Sequence, residues 1–336
     1  MKSSWQSRVA AFIVRRRVKP RLGDLSDIAK VRSVFSQALP APRGVRYSDA
    51  VVGSVAGEWA QAKDAATGAA TGAATCAATC AAKDAADATT TLLYLHGGGF
   101  VGCSPRTHRP ITAALALQGL RVFVPDYRLA PEHPFPAAPQ DALAVYRALR
   151  ADPTTGRLVV AGDSAGGNLA LGLMLALRDA GERLPEAAAL FSPATDLSGG
   201  SPSIMLNAER DAMFSGAHLQ NLGHAYLQGA DPTQWLASPL LGDLTGLPPL
   251  LLHVGESECL RDDSLRLAQK ARGAGVTVEL LVFPDVQHVW QNIYRLPEAR
   301  RSIAAAGIFL REAKQCTQPE LLDVVIIGTV SAAPAR

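Results

Sequence analysis

The chain has 336 residues, 48% of them apolar, which is enough to bury the core of one large domain or two small ones and excludes disorder as the overall state. Charged residues make up 19% and the formal net charge is +3, far from the basic stripe that neutralises phosphates, so no nucleic-acid partner is expected. No apolar run approaches the roughly 20 residues of a membrane span.

Residues 1 to about 45 look helical. The stretch Val9 to Val14 is shorter than a secretory apolar region and is followed by three arginines, so it reads as a helix of the mature protein rather than a signal. The basic residues Arg15, Arg16, Arg17, Lys19 and Arg21 read as one solvated helix face. Residues 60–88 are nearly a four-letter repeat (Ala65-Ala66-Thr67-Gly68 and its copies) with no apolar side chain larger than Ala, the composition of a surface loop between two strands. Cys76, Cys80, Cys103, Cys259 and Cys316 form no C-x-x-C pair and no His-flanked spacing. No metal is therefore expected, and their odd number without a leader predicts a reducing, cytoplasmic setting.

Beyond the repeat, strand and helix alternate. Strands are expected at 91–95, 122–124, 158–161, 187–191, 250–254 and 276–283, and helices at 112–120, 138–149, 168–178, 262–272 and 298–310. Strands apolar on both faces in strict turn with helices predict an α/β fold, a mostly parallel sheet covered by helices. Residues 1–45 and 196–236 break the rhythm, the latter with Ile204, Met205, Leu206, Met213, Phe214, Leu219, Leu222 and Tyr226. They are expected to be two pieces of a small helical cap over the carboxyl ends of the strands. The core would then comprise 46–195 and 237–315, with a tail at 316–336.

The chemistry concentrates in three places. Leu158 to Ala170 reads strand, Gly162-Asp163-Ser164-Ala165-Gly166, helix; glycines two before and two after the serine suit a turn too sharp for a Cβ at either position, which pushes Ser164 out at the top of the sheet. A serine hydroxyl needs a base oriented by a carboxylate, and the chain order in such folds is Ser, acid, His. His288, just past the last strand, is where the base should lie. The acid should come from Gly255 to Asp263, where Glu256, Glu258, Asp262 and Asp263 compete and spacing does not choose. Finally, His96-Gly97-Gly98-Gly99-Phe100 ends a strand in backbone N–H groups that a substrate oxygen can approach, and with the N–H of Ala165 these would form an oxyanion hole.

These residues, with Tyr127-Arg128-Leu129-Ala130-Pro131-Glu132, resemble the hormone-sensitive-lipase-like family of bacterial carboxylesterases over about residues 47–310. The resemblance implies an α/β-hydrolase with a helical cap, acting on short- to medium-chain esters without a metal or organic cofactor; a small-molecule ester is the expected partner, and a homo-oligomer is left open. It makes Ser164 the nucleophile, His288 the base, and Gly98, Gly99 and Ala165 the oxyanion donors. The family's acid usually opens Asp-Pro-Leu-x-Asp, matched here by Glu258-Cys259-Leu260-Arg261-Asp262. Glu258 is therefore the expected acid, with Asp262 its main rival. The family also includes lactone hydrolases, so a cyclic or terpenoid ester is the alternative substrate.

Two readings from other classes compete. Gly97, Gly99 and Gly102 spell Gly-x-Gly-x-x-Gly after a strand, and Asp126 ends the next one, as in a dinucleotide-binding oxidoreductase. Against it, Cys103-Ser104-Pro105 intervene before the helix on whose N-terminus a phosphate must sit. A non-catalytic ligand receptor on the same fold is the other, but it has no use for His288.

Overall fold

The computed structural model describes residues 3–22, 28–63 and 90–313. The repeat from residue 64 onward, Cys76, Cys80 and the tail 316–336 lie outside the described residues. The N-terminal segment supplies α1 (Trp5–Arg17) and α2 (Ile28–Phe35), and then the sheet begins with β1 (Val45–Val52) and β2 (Val55–Ala62). The alternating part is β3 (Thr91–Leu95), α3 (Arg109–Ala116), β4 (Arg121–Pro125), α4 (Ala137–Ala151), β5 (Leu158–Asp163), α5 (Ala165–Asp179) and β6 (Ala188–Phe191). The mid-chain segment carries α6 (Ser203–Leu206) and α7 (Gly216–Leu227); β7 (Leu250–Gly255), α8 (Arg261–Gly273), β8 (Val278–Phe283) and α9 (Pro297–Glu312) close the fold.

The strands form one sheet in the order β1-β2-β4-β3-β5-β6-β7-β8, parallel from β4 to β8. Strand β2 pairs antiparallel with both β1 and β4. The β1–β2 hairpin went unread in the sequence although Gly53-Ser54 is a two-residue turn signal; both residues have positive φ (58° and 67°), as a hairpin turn matched to strand twist requires. Strand β2 also runs to Ala62, past the expected start of the repeat at 60, because Gln61 and Ala62 pair with Arg46 and Val45 of β1. Helix α3 lies earlier than expected: Pro110 sits in its first turn, where the missing N–H costs nothing, and Gly119 beyond its end has φ 90°.

Strand β5 explains why its sequence is apolar throughout. Leu158 and Val160 pack into the layer with α4, α5 and α8, while Val159 and Ala161 pack into the opposite layer with α3 and α9. All six of its residues are buried, and each fully buried Leu or Val contributes about 1.5–3 kcal/mol. The strand is thereby held rigidly, and the residue after it inherits that rigidity.

Hydrogen bonds tie the N-terminal segment to the rest at the start and end of α1 and from α2. At the start of α1, the Ser4 N–H and the Ser4 and Ser7 hydroxyls donate to the Glu298 carboxylate of α9 at 2.6, 2.9 and 2.5 Å. At its end, Arg15 donates to the carbonyls of Glu209 and Arg210, and Lys19 to those of Ala208 and Asp211. Arg32 of α2 grips Glu132 with both terminal nitrogens and also donates to the carbonyls of Val101 and Ala130. Among the described residues no helix is long and apolar enough to cross a membrane.

Burial raises the Glu298 carboxyl, but the Ser7 and Ser4 donors outweigh it and hold the pKa below the ordinary 4.5. A lowered folded pKa contributes stability that is complete above the ordinary value and is lost as pH falls through the folded one. Glu298→Gln should cost about 1–3 kcal/mol in urea unfolding at neutral pH, and the gap to wild type should narrow in acid. An unchanged midpoint at neutral pH would remove Glu298 as the anchor of α1.

Candidate active site

Ser164 occupies the single residue between β5 and α5, with φ 52° and ψ −120°. A non-glycine residue there is strained, and it is held in place because the flanks leave no alternative. A Cβ on Gly162 would lie 2.4 Å from the Gly166 carbonyl oxygen, and one on Gly166 would lie 1.9 Å from the Leu95 carbonyl oxygen. The glycines at these two positions thus allow α5 to start against the ends of β5 and β3. Ala165, the first residue of α5, has no intrahelical acceptor for its N–H.

The glycine loop after β3 faces the same space. Gly98 has φ 115°, and a Cβ on it would meet the Gly102 carbonyl oxygen at 2.3 Å, so the loop requires glycine there. Its course is fixed from behind by Asp163, whose Oδ1 accepts from the Gly97 N–H at 3.1 Å and from the Tyr94 hydroxyl at 2.7 Å. The other oxygen of Asp163 lies 3.3 Å from His108 Nε2. Burial raises the Asp163 carboxyl, but His108 and Tyr94 more than offset it and keep it ionised. His96 stacks on Tyr127 at 4.2 Å, and the Tyr127 hydroxyl donates to the His96 carbonyl oxygen. Burial pushes the His96 imidazole down to about 3, so it stays neutral. Arg128 is bound to Asp141 through side chain and backbone. The motif around Tyr127 therefore serves the loop's architecture.

His288 lies in the chain beyond β8, and its Nδ1 is 2.6 Å from Glu258 Oε2. Glu258 Oε1 accepts from the Gly255 N–H at 2.6 Å and the Ser192 hydroxyl at 2.8 Å, so the carboxylate is oriented from both sides. The Phe214 ring packs edge-on against the imidazole, with ring centres 5.0 Å apart. His288 Nε2 is buried and makes no hydrogen bond to a protein group among the described residues. Ser164 and His288 thus share a cavity without a bond between them, a bond that in such sites commonly tightens only around substrate.

The rivals of Glu258 are engaged elsewhere. Asp262 accepts from the Ser203 N–H at 2.9 Å and from Arg261, while its own N–H donates to the Ser203 hydroxyl. Asp263 accepts from the N–H groups of Thr195 and Asp196 and from the Ser201 hydroxyl. The Glu256 side chain is half exposed, 3.9 Å from Arg210. Asp262 and Asp263 therefore bind the mid-chain segment to the start of α8, a role that spacing along the chain did not disclose.

Gly98, Gly99, Ser164, Ala165 and His288 all line one cavity of about 500 Å³. Its walls are largely apolar and come from both irregular segments: Ile13, Val14 and Val34 from the first, Ile204, Met213 and Leu222 from the second. The Gly98 and Gly99 N–H groups donate to no protein acceptor among the described residues, so they remain available to the cavity. The dinucleotide reading fails on the same geometry. Helix α3 begins only at Arg109, seven residues past Gly102, so the glycine loop opens onto Ser164 instead of a helix N-terminus. Among the described residues no group of His, Cys, Asp and Glu could hold a metal ion.

Burial opposes the His288 cation, but the Glu258 hydrogen bond and charge outweigh it and raise the imidazole pKa above its ordinary 6.5. Burial likewise raises the Glu258 carboxyl, which the His288 bond only partly offsets. An NMR titration should therefore find the His288 imidazole above 6.5 and find it lower in Glu258→Gln. A His288 value unaffected by that substitution would uncouple the pair.

A comparison with known proteins agrees with this architecture. Residues 92–292 match a family model described as alpha/beta hydrolase fold. An acetyl-hydrolase of Streptomyces hygroscopicus is 47% identical over 226 residues, covering 66% of this chain and 76% of that protein. An esterase of Acinetobacter venetianus is 38% identical over 234 residues, covering 68% and 76%. The crystal structure of an esterase from the bacterial hormone-sensitive lipase family superposes with a TM-score of 0.79 at 35% identity, covering 93% of this chain and 99% of that one. With this sheet order, this strand-to-helix turn and these relatives, the chain belongs to the hormone-sensitive-lipase-like family of the α/β-hydrolase fold.

Proposed function

We propose that the protein is a serine carboxylesterase that hydrolyses short- to medium-chain esters through an acyl-enzyme, with Ser164 as nucleophile, His288 as base and Glu258 as acid. The observation that carries this reading is the convergence in one cavity of a strained, presented serine, a carboxylate-bound imidazole and N–H groups without acceptors. The relatives named as esterases and an acetyl-hydrolase support the same reaction class.

In this mechanism the substrate carbonyl carbon lies at Ser164 Oγ and its oxygen between the N–H groups of Gly98, Gly99 and Ala165. His288 Nε2 takes the hydroxyl proton as Oγ attacks, and the donors stabilise the oxyanion as charge develops, the largest single contribution in such sites. Glu258 holds the imidazole in the tautomer that leaves Nε2 able to accept, and stabilises the imidazolium. That proton passes to the departing alcohol. Water, deprotonated by the same nitrogen, then attacks the acyl carbon, and the proton returns to Ser164 Oγ as its bond to that carbon breaks and the acid leaves.

Residues 1–45 and 196–236 act in this reading as a cap, and the remaining core carries the chemistry. The support is that both segments line the cavity and bond to its loops. A reducing, cytoplasmic location accords with the free thiols of Cys103 and Cys259.

Ser164→Ala should lower kcat on a chromogenic acetyl or butyryl ester by about 10⁴-fold or more with an unchanged fold. Turnover at the wild-type rate by a pure variant would end the hydrolase assignment. Each added methylene gains about 0.8 kcal/mol only while the cavity can bury it, so kcat/KM should rise and then fall, with an optimum at about two to eight acyl carbons. A value still rising at palmitoyl esters would make the protein a long-chain lipase.

A further inference from the structure

Asp211 lies in the mid-chain cap segment, 1% exposed, and among the described residues no charged side chain is bonded to its carboxylate. One oxygen accepts the N–H groups of Met213 and Phe214 at 2.7 and 3.0 Å; the other accepts the N–H of Cys259 at 2.7 Å. Its own carbonyl oxygen accepts from Lys19 of the N-terminal segment at 2.8 Å. A buried carboxylate is costly unless fully hydrogen-bonded, and here each bond reaches a strand of chain that adjoins the site. Cys259 follows Glu258 directly, and Phe214 supplies the ring against His288.

We propose that Asp211 is a positioning residue for the Glu258–His288 pair, acting through its hydrogen bond to the Cys259 N–H. This rests on the reading of Glu258 as the acid. Residues 258–261 form a turn closed by the Arg261 N–H donating to the Glu258 carbonyl at 3.1 Å, with Cys259 at its second position. Proline is favoured at that position because its ring fixes φ. A cysteine has no such restraint, and the Asp211 bond supplies one from outside. Asn207, four residues earlier on the same cap segment, donates to the Glu258 carbonyl at 2.8 Å, so the carbonyl and the N–H of the Glu258–Cys259 peptide unit are both held by this segment.

The charged groups around His288 are Glu258 from the loop after β7, Asp211 from the cap and Asp163 from the end of β5. Asp211 itself faces Lys19, Cys259 and His218 of α7. All three acidic groups favour the imidazolium, so removing the Asp211 charge moves the acid limb of activity to lower pH.

The test is a cycle of wild type, Asp211→Asn, Cys259→Pro and the double variant, assayed over pH on esters of several acyl lengths, with Glu258→Gln alongside. Asp211→Asn should reduce kcat about tenfold or more for every acyl length alike, because a displaced acid affects all substrates equally. Its acid limb should move down. In the Cys259→Pro background, where no N–H remains to be held, the same substitution should cost clearly less. Losses that multiply independently, an altered acyl preference with an unmoved acid limb, or wild-type kcat would each overturn the proposal. If Glu258→Gln retains full activity, the reading of the acid fails first. Where Asp211→Asn gives no folded protein, hydrogen exchange of the wild-type enzyme decides. The Cys259 amide should be among the slowest in the loop after β7, and a fast-exchanging amide contradicts the bond.

Discussion

The crowding between the ends of β3 and β5 and the start of α5 sets the geometry of everything else. With the Leu95 carbonyl less than 2 Å from where a Gly166 side chain would begin, the helix can pack there only on glycine, and the chain must reverse through one residue at positive φ. That residue is Ser164. The strain is paid for by a strand whose side chains are buried on both faces, so the turn cannot relax without disturbing both core layers. Asp163, the last residue of that strand, extends the constraint sideways by holding the Gly97 N–H. Turn and glycine loop are thus one rigid unit.

The two irregular segments line the cavity and are also bonded to this unit. Arg32 of α2 donates to the Val101 carbonyl within the glycine loop and ties that loop to Glu132. On the opposite side Ser203, Asn207 and Asp211 bond to residues 258–262 around Glu258. The two segments are joined to each other through Arg15 and Lys19. The segments that supply the cavity walls therefore also brace the groups proposed for chemistry.

Much of this was legible in the sequence because the informative residues are local. The glycines around Ser164 and after β3 mark steric limits that act within a few residues, and apolar strands alternating with helices imply the parallel sheet. What depends on contacts distant in the chain was not legible. Spacing offered four carboxylates near β7, and only the fold brings Glu258 to His288 while sending Asp262 to Ser203. Ser192, His108 and Asp211 carried no signal, since their partners lie 66, 55 and 48 residues away in sequence. The β1–β2 hairpin did carry one in Gly53-Ser54, but β1 lies at the sheet edge, where its burial alternates only weakly.

Whether Ser164 carries the acyl group can be read directly. The enzyme is mixed with a chromogenic acetyl ester, quenched in acid during turnover and digested, and the peptides are examined by mass spectrometry. An acetyl group is expected on the Ser164 peptide, appearing with a burst of released alcohol and absent after turnover ends. Steady turnover with no acylated Ser164 under conditions that preserve acyl esters, or with the acetyl group on another residue, would contradict it.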